Sequence, residues 1–274
     1  MTPTRGLAVA ALLGLLALPA ATGGAATPAP PAPNPCLNRA LHLRCPDLMM
    51  SAPSHFILDR TSRYGHTLLR AQSSIDNHGT GPLEIHGKRS GRTTMIAAQA
   101  IDRRGGGRKL LFTGARLGFK YVSGTRYGIG NLGAARYWKF RDAARFGLWR
   151  VDSHNKLISF VKPGPKLFYC FRDLRHTRGG GRSPGRAVYP ACSQSGGARR
   201  VTLGTSVGWS DVYPAGYPEQ FIDITGLRGR FAYVQTADPY HRLFESHEGN
   251  NSSATFIKLP SGRVVGHRVG FTLP

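Results

Sequence analysis

The sequence predicts an all-β protein, a sandwich carrying long irregular loops. Three observations point there. No extended apolar pattern of period 3.6 occurs. Short runs rich in Val, Ile, Thr, Phe and Tyr recur instead. Gly (35) and Pro (19) punctuate the chain closely enough to end each run after a few residues.

Residues 1–26 read as an export signal. Arg5 gives a positive start, Leu7 to Leu18 is apolar apart from one glycine, and small residues follow. That run is short of the ~20 residues a membrane span requires, so the expectation is a secreted protein, extracellular or associated with the cell envelope. TPAPPAPNP at 27–35 reads as a stiff, extended linker, because proline fixes φ and removes a donor. Residues 36–274 then read as one domain without internal repeats.

The runs expected as strands are FILD at 56–59, TMIAAQAI at 94–101, LGFKYV at 117–122, QFIDIT at 220–225, RFAYVQTA at 230–237 and ATFIKLP at 254–260. In RFAYVQTA, Phe231, Tyr233 and Gln235 face one way and Ala232, Val234 and Thr236 the other, which suits one buried face. SIDNHGTGPLEI at 74–85 reads as strand, turn, strand, with Asn77 and Gly79 able to take positive φ and Gly81-Pro82 forcing a second corner. Gly226 and Gly229 flank a similar turn. The loops DRRGGGRK at 102–109 and RHTRGGGRSPGR at 175–186 are expected to be mobile and exposed.

Four cysteines, at 36, 45, 170 and 192, suit two bridges in an exported chain. Three pairings exist. The local one, Cys36 with Cys45 and Cys170 with Cys192, is preferred here, each short loop contributing ~3 kcal/mol in the chain-entropy model. No Cys-x-x-Cys occurs, which argues against zinc ribbons and thioredoxin-like sites. Lys plus Arg outnumber Asp plus Glu by 37 to 14, enough for salt-sensitive attraction to acidic wall polymers or acidic proteins. No specific nucleic-acid motif and no oligomer signal accompany it.

Several motifs tempt and fail. Gly128 to Gly133 matches the dinucleotide glycine pattern, but aromatic and basic residues follow it rather than a crossover helix. Gly181-Arg182-Ser183-Pro184-Gly185 matches a nucleophile elbow, yet the residue after the serine must donate its N–H to an oxyanion and proline has none. No His-x-His or His-Glu-x-x-His occurs. Asp238, His241, Glu245, His247 and Glu248 form the densest group of metal-ligand types.

Five stretches, taken in order, resemble the catalytic domain of the lysyl oxidase family, in its bacterial branch. They are Cys45-Pro46-Asp47-Leu48, AARYWKFRDAARFGLW at 134–149, GPKLFYC at 164–170, VGWSDVYPAGYPEQFIDITGL at 207–227 and TADPYHRLFESHEGNN at 236–251. The resemblance covers about residues 45–260 and implies a β-sandwich of that type. It also implies oxidation of lysine-type primary amines to aldehydes by copper and a lysine tyrosylquinone. The quinone-precursor positions fall on Lys166 and Tyr213, both of the right residue type. The three copper positions, normally alternating histidines, fall on Ala135, Tyr137 and Lys139. Alternate residues of a strand share a face, so three imidazoles there can converge on an ion. A methyl, a phenol and an ammonium cannot, and without copper the quinone is not expected to mature. The family's calcium positions fall on Asp47, Leu48, Glu245, His247, Asn250 and Asn251, where His247 replaces an oxygen donor. The expectation is therefore a catalytically silent homologue acting as an extracellular binding or structural protein. The alternatives are an active copper amine oxidase acting on protein lysines, and a basic polyanion-binding wall protein.

Overall fold

Both faces of the central strand of one sheet are buried, and this sets the architecture. In a computed structural model the described residues are 33–123, 134–165 and 168–274; the segment read as an export signal, most of the Pro-rich stretch, the glycine motif at 128–133 and Lys166 lie outside them. No α-helix occurs among the described residues, only two short 3-10 turns, Pro35–Leu37 and Arg39–Leu41.

The first strands are β1 (Leu43–Arg44), β2 (Leu48–Met50), β3 (Ser54–Asp59), β4 (Leu68–Asn77), β5 (Leu83–Arg89) and β6 (Thr94–Arg103). They continue with β7 (Arg108–Val122), β8 (Ala135–Phe140), β9 (Ala144–Val151), β10 (Leu157–Pro163) and β11 (Arg175–His176). The last are β12 (Arg200–Thr205), β13 (Trp209–Tyr213), β14 (Phe221–Asp223), β15 (Gly229–Ala237), β16 (Ser252–Leu259) and β17 (Arg263–Phe271). Every run expected as a strand from composition contains one.

Three antiparallel sheets result. One has the order β12-β5-β6-β7-β8, with β1 added to β6; the second runs β10-β9-β15-β16-β17; the third is built on β4, which pairs with β13, β14, β2 and β3. Their inner faces share one core, with Leu69 and Ile75 from β4, Leu117 from β7, Trp138 and Phe140 from β8, and Phe146 from β9 all fully buried. Each such side chain contributes about 1.5–3 kcal/mol over its exposed state.

The alternation in β15 holds, but its expected polar face does not. Phe231 and Tyr233 enter the main core. Ala232 and Val234 join a second cluster with Val151, Ala254, Phe256 and Phe271 on the far side. β15 lies between β9 and β16, and Trp149 and Leu273 pack against the outer cluster.

The Asn77 corner also differs from expectation. Neither Asn77 nor Gly79 has positive φ. Asn77 instead works through its side chain. Its Oδ1 accepts from the N–H groups of Gly79 (3.0 Å) and Asp47 (3.2 Å), while its Nδ2 donates to the carbonyls of Gly81 and Thr205. Gly79 is required by close approach: a Cβ there would stand 2.4 Å from the Cys45 carbonyl oxygen. The loop at 175–186 is exposed as expected but tied to β13, since Thr177 and Arg178 N–H donate to the Gly208 carbonyl and Trp209 Nε1 donates to that of Pro184. Both disulfides take the local pairing, Cys36–Cys45 and Cys170–Cys192.

Candidate functional site

A cavity of about 140 Å³ opens where β8 meets the segment after β13. Tyr137, Lys139, Arg172, Tyr213 and Tyr217 line it, and the Cys170–Cys192 bridge forms part of its wall.

β8 provides one side. It pairs with β7 in the register Lys120↔Tyr137 and Gly118↔Lys139. Trp138 and Phe140, the alternate residues, fill the core. Tyr137 and Lys139 therefore face the cavity together, and Ala135 shares their face by strand alternation. Lys139 is only 1 % exposed. Its Nζ donates to Tyr217 Oη at 2.7 Å and lies 5.0 Å and 5.4 Å from the ring centres of Tyr217 and Tyr213. Burial pushes the ammonium down to about 8; Glu219 and Asp211 oppose that shift, while Lys120 and Arg172 add to it.

β13 and the turn after it provide the other side. Tyr213 is buried, its Oη accepts the Cys170 N–H (2.9 Å), and its ring meets Tyr169 and Tyr217 edge-on at 4.6 Å and 4.9 Å. Burial holds the Tyr213 and Tyr217 hydroxyls well above the ordinary phenol range, so both stay protonated. Asp211, two residues earlier on β13, accepts the Phe171 N–H.

These residues do not fit copper. Of the three positions, Ala135 has no donor atom, and Lys139 spends a proton, not a lone pair, on Tyr217. A redox ion needs convergent imidazole, thiolate or carboxylate ligands, and the remaining phenol of Tyr137 cannot replace them. Lys166, the other quinone-precursor position, lies outside the described residues.

The calcium positions do come together. Asp47 Oδ1 accepts from Asn250 Nδ2 (2.9 Å), and Glu245 takes Asn251 Nδ2 on Oε1 (3.0 Å) and the Leu48 N–H on Oε2 (2.5 Å). His247 Nδ1 stands 3.3 Å from Asp47 Oδ2. The amide oxygens of Asn250 and Asn251 are buried without a hydrogen-bond partner. Burial holds the Glu245 carboxyl well above the usual range, so Asp47 and the two amide oxygens are the donors this segment leaves for a hard cation, which prefers oxygen ligands.

The wider acidic group at 238–248 does not act as one site. Asp238 is buried and caps a turn, accepting from the N–H groups of Arg242 and Leu243, whereas His241 pairs with Glu248 nearer the surface. Among the described residues no three His, Cys, Asp or Glu side chains are grouped to hold a metal. Ser183 of the elbow-like motif does meet an imidazole, with His176 Nε2 2.8 Å from its Oγ. Pro184 still leaves no following N–H for an oxyanion.

No family model matches the chain, and no curated protein matches it. The likeness to lysyl oxidases therefore rests on the motifs quoted above. Tyr217 and Arg172 are members of the cavity that sequence reasoning missed. Both sit outside strands, where no periodicity assigns them a face.

Proposed function

We propose that this chain is a secreted, copper-less relative of the lysyl oxidases, acting outside the cell as a binding or structural protein through the cavity between β8 and the turn after β13. The observation that carries this reading is the bond from Lys139 Nζ to Tyr217 Oη. An ammonium stands on the strand face where the family needs imidazole lone pairs, and positive charge opposes a metal cation there. Two disulfides and the absence, among the described residues, of any helix long and apolar enough to cross a membrane are compatible with an extracellular chain. Asp47, Asn250 and Asn251 would hold a calcium ion, if one binds, and it would reinforce the hydrogen bonds that already join the segment before β2 to the loop before β16.

The test is copper loading in air, followed by metal analysis and peroxide detection with alkylamines. Sub-stoichiometric copper and no peroxide are expected. One copper per chain with amine turnover would establish the active oxidase instead.

A second reading, polyanion binding, draws support from a cleft lined by Lys88, Arg89, Arg199 and Arg200 at the end of the β5–β12 pair. Retention on an immobilised polyanion should fall steeply between low and moderate salt. Retention that ignores salt rules it out.

A further inference from the structure

We propose that Lys139 is a covalent capture site for small carbonyl compounds bearing a carboxylate, the 2-oxo acids being the fitting class. This deepens the cavity's role as a binding site. It does not depend on the oxidase ancestry suggested by the motifs.

Three features carry it. First, Lys139 Nζ is sealed from bulk water yet borders a cavity of about 140 Å³, room for a molecule of a few heavy atoms. A lysine in an apolar pocket beside other cations is the usual arrangement for an amine that adds to carbonyls. Second, Tyr217 Oη is already 2.7 Å from Nζ, within reach of an oxygen developing on an attacked carbon. Third, Arg172 borders the same cavity, and its buried Nε has no hydrogen-bond partner. A guanidinium N–H of that kind calls for an acceptor, and a carboxylate is the natural one. The walls include three tyrosine rings and a disulfide.

The charged and titratable groups around Nζ come from every side. Lys120 is on β7, Tyr137 on β8, Asp211 and Tyr213 on β13, Arg172 follows Phe171, and Tyr217 and Glu219 lie in the turn before β14. The lowered pKa near 8 leaves part of the population as free amine near neutral pH.

The step balances without an oxidant. The Nζ lone pair forms a bond to the carbonyl carbon. The π pair moves to oxygen, which takes the proton of Tyr217 Oη as Oη takes one from nitrogen, a relay in which the phenol is never left ionised. The resulting carbinolamine then loses its C–O bond as one molecule of water, leaving C=N.

The experiment uses the full exported chain with glyoxylate and cyanoborohydride, which supplies the trapping hydride. Peptide mapping by mass should place the adduct on Lys139, formed at least about tenfold faster than on exposed lysines, whose amines stay protonated. Arg172→Gln should slow glyoxylate labelling several-fold more than it slows labelling by a neutral aldehyde of similar size, which senses only the loss of a neighbouring cation from Lys139; equal slowing of the two would remove the carboxylate from the proposal. Lys139→Arg should abolish the fast adduct. If that variant does not fold, Tyr217→Phe serves, with an expected loss of rate in a chain shown by circular dichroism to be folded at the assay temperature, although losing the Lys139 acceptor lowers its melting temperature. Labelling spread evenly over surface lysines and the N-terminal amine overturns the proposal, as does a fast adduct that survives in Lys139→Arg. Copper content does not enter any of these readouts, so the proposal and the silent-oxidase reading fail separately.

Discussion

Arg70 Nε donates to Asp59 Oδ2 across 2.8 Å, and the two side chains are 6 % and 0 % exposed. The pair joins the end of β3 to the beginning of β4. Arg70 also reaches the Tyr217 carbonyl (3.4 Å) and lies over the Phe221 ring. The turn that carries Tyr217 into the cavity is thus backed by a buried charge.

Removing one partner strands the other. Asp59→Ala is expected to lower unfolding free energy by about 3–5 kcal/mol, the usual cost of an uncompensated buried charge. Asp59→Leu combined with Arg70→Met should cost much less. Urea melts of the natural chain and the two variants check this; a double variant that loses as much as Asp59→Ala would show that the single replacement carries no stranded-charge penalty.

Lys139 gives the fold an alkaline signature. Its folded pKa, about 8, lies below the ordinary 10.5. Between those values the unfolded chain holds a proton that the folded chain has shed, so stability rises with pH across that window. Below pH 8 the burial cost is present in full. In Lys139→Met this rise should vanish, and the variant should match or exceed the natural chain in stability at neutral pH. Melting temperatures from pH 7 to 10.5 decide it.

Asp223 acts at the acidic end. Partial burial alone would raise its pKa, but hydrogen bonds from the Thr225 hydroxyl and N–H and from His66 outweigh that and bring it to about 2. Its folded value lies below the ordinary 3.8. The stabilisation is therefore present above pH 3.8 and lost as pH falls toward 2. Asp223→Asn should unfold at a higher pH in an acid titration followed by tryptophan fluorescence. An unchanged midpoint would show that these hydrogen bonds contribute nothing.

The oxygen donors of Asp47, Asn250 and Asn251 predict a response to calcium. Saturating Ca²⁺ should raise the melting temperature by a few degrees, since a ligand of the folded state alone stabilises it. His247→Asp, which restores an oxygen donor beside Asp47, should enlarge the shift, and Asn250→Ala should erase it. A melting temperature indifferent to Ca²⁺ in all three proteins sinks this site.

Much of the fold was legible because strands announce themselves locally. Period-2 runs ended by glycine or proline located β6, β15 and β16, and the short cysteine spacings pointed to the bridges that form. Assembly was not legible. The pairing of Arg200 with Lys88 and the covering of β15 by Phe256 and Phe271 depend on contacts far apart in sequence. Asn77 was read as a turn former for its backbone, whereas its amide does the work, a role that depends on Asp47 and Thr205 arriving from elsewhere. For the cavity, the resemblance singled out Tyr137 and Lys139, and strand alternation put them on one face. Arg172 and Tyr217 sit on irregular backbone, where a residue's direction follows from what the chain packs against.

Cys170 gives its N–H to Tyr213 and its sulfur to Cys192. One residue thereby fixes a tyrosine wall and anchors the segment that carries Ala191 and Gln194 to the opposite rim. Completing the cavity is consequently an oxidative event: a chain held among reducing thiols would keep its sheets but carry this chamber with a loose panel.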